Sequence, residues 1–339
     1  MSRRLIIRAD GGVEIGFGHI MRCLAIADAA VAKGWEVGLA SADMPSDLLQ
    51  KIPSYCAIYS RPGRVGEASW LSEVLANGDE QVLLIDGHHF DSPQRKALCK
   101  FDCPVATIDD NCHLTAYHTD LLVNPNRHAS MLDYNLDQTI GEVLLGVKYF
   151  PLRRALREAL ERPLPALSER HRVLVNFGGS DPALLTVPVS LALRRVLPVE
   201  VAIDIVIGPG HPGNGQLIAR LTREIANCAV YVDPANFGQL MANAGLAISA
   251  GGGTVLELAA FATPTLTVIV ADNQDLPARA SGYPFVDGRS DNKVTEIAAM
   301  AAMLWADNNT RQQLSTDLAD DIDGQGAARI IEKLEMFFD

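Results

Sequence analysis

Positive charge is in short supply: Lys and Arg total 29 against 41 Asp and Glu, a formal net charge of −12, and no basic tract offsets it. Such a chain suits neither nucleic acid nor an anionic membrane surface. Any phosphate it binds must be held by a few placed groups. Long apolar runs are also missing, since no segment reaches the roughly 20 residues needed to span a bilayer. The run Leu5-Ile6-Ile7 is cut off by Arg8 and Asp10, which is too short for a secretory signal and reads as a first strand. The expected location is the cytoplasm, where the six cysteines stay reduced. Paired metal-type cysteines are absent as well. Cys99, Cys103 and Cys112-His113, with His118 nearby, follow C-x3-C-x8-C-H, which lacks the C-x2-C of a closed zinc site. Free cysteine is commonly buried, so these read as packing residues, and neither metal nor cofactor is expected. There are no short repeats and no low-complexity tracts.

What is present is an ordinary globular balance, 48% hydrophobic and 21% charged. At 339 residues the chain is too long for one ordinary core and suits two domains. Short apolar runs alternate with helical periodicity. Leu5–Ile7, Glu36–Ala40, Val82–Ile85, Val105–Ile108 and Leu121–Val123 read as strands. Ile20, Cys23, Leu24 and Ala27 fall at helical spacing within Ile20–Lys33. The rhythm pauses over Arg153–Arg172, where Arg162-Pro163-Leu164-Pro165 suggests a linker. A second set follows, with strands at Val173–Asn176, Val201–Ile207, Val230–Val232, Leu246–Ile248 and Leu266–Val270 and helices filling the C-terminal stretch. The expectation is an α/β protein of two Rossmann-like domains, 1–160 and 161–339, the last helix having the option of packing back on the first. Facing halves would leave a cleft at their strand ends, where parallel sheets bind ligands.

Four stretches could line that cleft. Asp10-Gly11-Gly12 through Gly16-Phe17-Gly18-His19-Ile20-Met21-Arg22 joins a strand to a helix through a glycine-rich loop. His19 would lie in the helix's first turn, where unpaired N–H groups favour an anion. Gly16-Phe17-Gly18 lacks the third glycine of a dinucleotide fingerprint. Asn176-Phe177-Gly178-Gly179-Ser180-Asp181-Pro182 sits at the matching edge of the second half, where Ser180 or Asp181 could cap a helix. In Ser249-Ala250-Gly251-Gly252-Gly253-Thr254-Val255-Leu256-Glu257, three glycines open a helix and offer bare amides to an anion. Thr254 can donate to a phosphate oxygen, while Glu257 repels phosphate and suits ribose hydroxyls. Asp272-Asn273-Gln274 ends another strand with amides that suit sugar or phosphate. Finally, His88-His89 follows Asp86-Gly87 at a strand end, where alternation would let at most one histidine face the ligand edge.

Together these motifs, with Gly324-Gln325-Gly326-Ala327-Ala328-Arg329 near the end, resemble the UDP-sugar hydrolases of pseudaminic acid biosynthesis. That family has the GT-B fold and is related to the N-acetylglucosaminyltransferase of peptidoglycan synthesis. The resemblance implies UDP-2,4-diacetamido-2,4,6-trideoxy-β-L-altropyranose as substrate, with UDP and free sugar as products. It implies His19 as the catalytic histidine beside the attacking water. Gly252, Thr254 and Glu257 match the UDP site, and Asn273 and Gln274 match the sugar–diphosphate contacts. The uracil nucleotide would be held by the second half alone, from Val232–Asn236, Gly251–Thr254 and Glu257. Asp10, Gly16, Gly18, Arg22, Gly179 and Ser180 complete the expected substrate contacts. One departure stands out: Asp86-Gly87-His88-His89 replaces the family's Asp-His-Tyr, placing His88 where the family has Tyr. Two other readings remain open, a GT-B glycosyltransferase using a UDP-sugar donor and a non-catalytic nucleotide-sugar-binding protein.

Overall fold

The computed structural model describes residues 3–12, 18–42, 44, 46–63, 65–75, 80–134, 138–211, 214–319 and 321–338. Gly16, expected in the first ligand loop, lies outside them. The chain divides into two compact units, Met1–Arg153 with Gly324–Asp339, and Arg154–Asp323.

The first unit is built on β1 (Arg4–Ala9), β2 (Glu36–Ser41), β3 (Cys56–Ser60), β4 (Gln81–Asp86), β5 (Val105–Ile108), β6 (Thr119–Asn124) and β7 (Ile140–Leu145). They form one sheet in the order β3-β2-β1-β4-β5-β6-β7, each neighbouring pair parallel. Parallel strands covered on both faces need apolar residues at every position. β4 meets this, with Val82, Leu83, Leu84 and Ile85 all essentially inaccessible. The crossovers include α1 (Gly18–Ala32), α2 (Ser46–Leu49), α3 (Glu67–Leu75) and α4 (Ser92–Leu98). α1 buries Ile20, Cys23, Leu24 and Ala27, the stripe its periodicity predicts.

The second unit opens with α5 (Arg154–Leu160). It continues through β8 (Arg172–Asn176), α6 (Thr186–Val196), β9 (Ala202–Ile207), α7 (Asn214–Glu224), β10 (Cys228–Val232), α8 (Phe237–Asn243) and β11 (Ala244–Ala250). Then come α9 (Gly253–Ala260), β12 (Thr265–Ile269), α10 (Asp275–Ala280), β13 (Phe285–Asp287), α11 (Lys293–Ala306) and α12 (Asn308–Leu318). Its sheet runs β10-β9-β8-β11-β12-β13, again parallel throughout. The last helix, α13 (Gly326–Glu335), belongs to the first unit and shares a core cluster with α1 through Ala327, Ile330, Ile331 and Leu334.

The division therefore falls before α5 rather than at the expected 160/161. The reason is packing: Leu156 is buried, and a Cβ on Gly238 would lie 2.6 Å from Ala159 Cβ. Only a glycine in α8 lets α5 approach this closely, so α5 goes with the second unit. Among the described residues no helix is long and apolar enough to cross a membrane.

Candidate active site

The order of the first sheet reverses at β1 and β4, and open α/β sheets bind ligands beyond the strand ends at such a switch point. Asp86 ends β4 and is fully buried. His19, in the first turn of α1, sets Nδ1 2.7 Å from Asp86 Oδ1. Arg22 lies three residues on, hence on the same helix face. It donates to both Asp86 oxygens at 2.7 Å and to both Asp110 oxygens at 2.8 and 2.9 Å. Asn126 Nδ2 adds a 2.7 Å bond to Asp110.

Burial opposes ionisation of Asp86, but Arg22 and then His19 outweigh it and hold the carboxyl far below the usual range. Asp110 is lowered in the same way, burial being overcome by Arg22. Burial also works against charge on Arg22, and Asp110 and Asp86 more than restore it. An ionised Asp86 can only accept, so it is His19 Nδ1 that turns a proton toward it, which leaves Nε2 as the nitrogen directed away from the carboxylate. Cys23 Sγ lies 3.4 Å from Asp86, where burial and then that charge push its thiol well up. The cysteine is therefore no nucleophile.

Two expected ligand contacts are turned inward. The Arg22 guanidinium is taken up by its two carboxylates. Asp10, buried after β1, meets Arg8 Nη1 at 2.7 Å, the Ala42 amide at 2.7 Å, Ser41 Oγ at 3.0 Å and His89 Nε2 at 3.0 Å. Burial opposes its ionisation, and His89 and Arg8 hold its pKa well below normal. Gly18 begins α1, and a Cβ there would meet nothing within 4 Å.

The expected alternation of His88 and His89 fails, because β4 stops at Asp86 and both histidines lie in the following turn. They nevertheless diverge. His88 Nε2 lies 3.4 Å from Asp110 Oδ2, with its ring centroid 5.0 Å from that of His19, while His89 reaches Asp10. Burial lowers the His88 pKa below its ordinary value; Asp110 opposes this, and His19 and Arg22 add to it.

The cysteines follow the packing reading only in part, since Cys99 is exposed at the end of α4 and Cys103 is half-buried. His113 keeps other company. Its Nδ1 lies 3.6 Å from Asp109 Oδ1, and its ring centroid is 5.8 Å from that of His88. Asp109, Asp110 and the role of Asp86 escaped the sequence reading. The available signal was an acidic residue directly after a fully apolar strand.

The second sheet reverses at β8 and β11. After β11, the Gly251 amide bonds the Val268 carbonyl at 2.9 Å and the Gly252 amide bonds that of Ala250 at 2.8 Å. Three free glycine amides were expected. Two are used by the chain itself, leaving those of Gly253 and Thr254 at the start of α9 without an acceptor among the described residues. A Cβ on Gly251 would sit 3.2 Å from Gln274 Cβ and Oε1, whereas one on Gly252 or Gly253 would meet nothing within 4 Å. Gln274 Oε1 accepts from the Val270 amide at 2.9 Å, so this residue braces the loop, while Asn273 beside it is exposed. Glu257 points inward and is 9% exposed. Val232, at the end of β10, is unusually open for a valine at 37%.

At the β8 edge, Gly178 has φ +83°, and Asp181 accepts from the Leu185 and Thr186 amides at 2.9 Å just before α6, whose N-cap is Leu185 rather than the expected Ser180 or Asp181. Ser180 is half-buried. The Gly179 carbonyl accepts from Gly210 at 2.9 Å, and a Cβ on Gly208 would lie 2.2 Å from that oxygen.

Two α/β units, each with a parallel sheet that reverses its strand order, give the chain the GT-B fold. The chain superposes on MurG of Acinetobacter baumannii with a TM-score of 0.68 at 15% identity, covering 99% of this chain and 100% of that one. UDP-GlcNAc 2-epimerase from Neisseria meningitidis gives a TM-score of 0.63 at 13% identity, covering 98% and 100%. In sequence, the resemblance carried by the motifs extends along most of the chain. The UDP-2,4-diacetamido-2,4,6-trideoxy-beta-L-altropyranose hydrolase of Campylobacter jejuni is 24% identical over 278 residues, spanning 81% of this chain and 94% of that protein. No protein-family profile matches.

Proposed function

We propose that the chain hydrolyses a UDP-linked diacetamido-trideoxyhexose to UDP and free sugar without a metal. Supporting this are the likeness to the Campylobacter jejuni hydrolase named above and the arrangement of His19. The carrying observation is the 2.7 Å contact between His19 Nδ1 and buried, ionised Asp86. It leaves Nε2 as a base at the ligand edge of the first sheet. Water attacks the anomeric carbon, its proton passes to Nε2, and the carbon–oxygen bond breaks with its electron pair going to the diphosphate. Direct attack inverts the anomeric centre.

The leaving group is already a weak base and needs charge stabilisation more than a proton. The Gly253 and Thr254 amides and the N-terminus of α9 suit that task. Glu257 would accept from ribose, Val232 would border the base, and Asn273 would reach the diphosphate or sugar. Gly179 and Ser180 would line the same edge of the second unit. His88, standing in the family's Tyr position, would face the sugar and tune the choice of substrate. Incubation with candidate UDP-sugars in excess chelator, without any acceptor alcohol, tests the reading by NMR. Free sugar and UDP should appear together, the sugar first with inverted anomeric configuration. Turnover only on adding an acceptor would make the protein a transferase, and none under either condition would leave a binding protein.

A further inference from the structure

We infer that His88, Asp109 and His113 form a binding site for a divalent transition-metal ion, and that its occupancy inhibits the proposed reaction. One donor atom from each of the three residues lies within 4.8 Å of the others. With bonds of about 2.1 Å, tetrahedral donors stand about 3.4 Å apart, so a small contraction of two half-exposed histidines completes the set. Those histidines sit on separate segments, one after β4 and one after β5, and each is 36% exposed in its side chain.

The carboxylate between them is fixed in advance. Asp109 is 2% exposed, and its Oδ2 accepts from Tyr134 Oη at 2.6 Å and from the Asn111 and Cys112 amides at 3.1 and 2.7 Å. Its Oδ1 is the oxygen turned to His113. Supporting bonds of this kind orient metal ligands and raise their affinity. Two imidazoles and one carboxylate suit zinc, cobalt, nickel or copper rather than magnesium or calcium, and three protein ligands leave a position open.

A second triad, His19, His88 and Asp110, has the same spacing but is the weaker candidate. Both Asp110 oxygens are already held by the Arg22 guanidinium, a cation that would repel the ion. The two triads share His88, whose ring lies against that of His19. An ion on His88 would thus withdraw it from the sugar. It would also set two positive charges near His19, disfavouring the imidazolium formed when water gives up its proton. The inhibitory consequence rests on the hydrolase reading; the binding site itself does not.

The test is titration of the purified full chain with Co2+, followed by visible absorption and calorimetry, in wild type, His113→Ala and His118→Ala. One equivalent should bind to wild type and to His118→Ala, with the intense bands of a low-coordinate site, and His113→Ala should bind at least tenfold more weakly. Absence of stoichiometric binding, or equal affinity in His113→Ala, overturns the site. Hydrolysis should fall on adding one equivalent of Zn2+, recover with chelator, and be spared in His113→Ala. Stoichiometric binding with undiminished hydrolysis would overturn the inhibition alone. Binding in a protein that hydrolyses no UDP-sugar would overturn the proposed function and leave the metal site standing.

Discussion

His19 and Asp86, 67 residues apart, meet at 2.7 Å where the first sheet reverses its strand order. In the proposed reaction the carboxylate would orient the imidazole and stabilise the positive charge that follows proton uptake. His19→Ala should therefore lose about 10²–10⁴ in kcat while keeping its UDP affinity. Asp86→Asn should lose about 10²-fold with little change in KM. The double variant should be no slower than the slower single one, because the two act as a unit. Additive losses, or wild-type turnover in Asp86→Asn, would show that the pair only holds α1 in place.

Gly251 and Gly252 are adjacent but distinguishable. Gly251→Ala forces a Cβ to 3.2 Å from Gln274 and should destabilise the second unit by about 1–3 kcal/mol. Gly252→Ala meets no neighbour and should leave the Tm unchanged while weakening UDP at least tenfold. Calorimetry and thermal melts on the same samples decide, and unaltered UDP affinity in Gly252→Ala would remove this loop from the diphosphate site.

His88 is 5.0 Å from His19 between ring centroids and 3.4 Å from Asp110. His88→Tyr should change the relative kcat/KM among UDP-sugars severalfold and leave UDP binding alone. A variant with the wild-type order of preference would make His88 a bystander to the sugar.

Acid should unfold the first unit through its paired carboxylates. Asp86 and Asp110 titrate below normal for the reasons given above. Asp109 does too: burial opposes its ionisation, and His113, Tyr134 and the Cys112 amide outweigh it. A folded-state pKa below the unfolded value stabilises the fold fully above about pH 4, and this is lost as pH falls toward the folded value. Stability from these groups should be flat between pH 5 and 8. Asp109→Asn should be less stable by about 1–3 kcal/mol at pH 7 and fall less steeply between pH 4 and 2. Parallel denaturation curves for variant and wild type across that range would refute the assignment.

The central strands were legible because a parallel strand buried on both faces leaves a continuous apolar run, as in Val82–Ile85. β3, β7 and β13 were not recognised. β3 and β7 are edge strands with exposed positions inside them, and β13 is an edge strand of three residues. The place of His19 in the first turn of α1 was legible from the sequence, whereas its contact with Asp86 was not, since local pattern carries no information about a contact across 67 residues. The glycine run marked the turn that opens α9, but which amides the chain itself consumes depends on the Val268 and Ala250 carbonyls. His113 was read beside its cysteine neighbours, while the fold sets it beside His88 and Asp109.

The return of α13 to the first unit has a consequence for synthesis on the ribosome. The core of the second unit is contiguous, running from Val173 to Leu314, and can consolidate while the chain is still being extended. The core of the first unit opens with Leu5 but waits for Ala327, Ile330, Ile331 and Leu334. The half that begins first is the half that finishes last, and until α13 emerges the part of α1 that packs against it stays uncovered. Premature termination near residue 323 would spare the later-made half and cripple the earlier one.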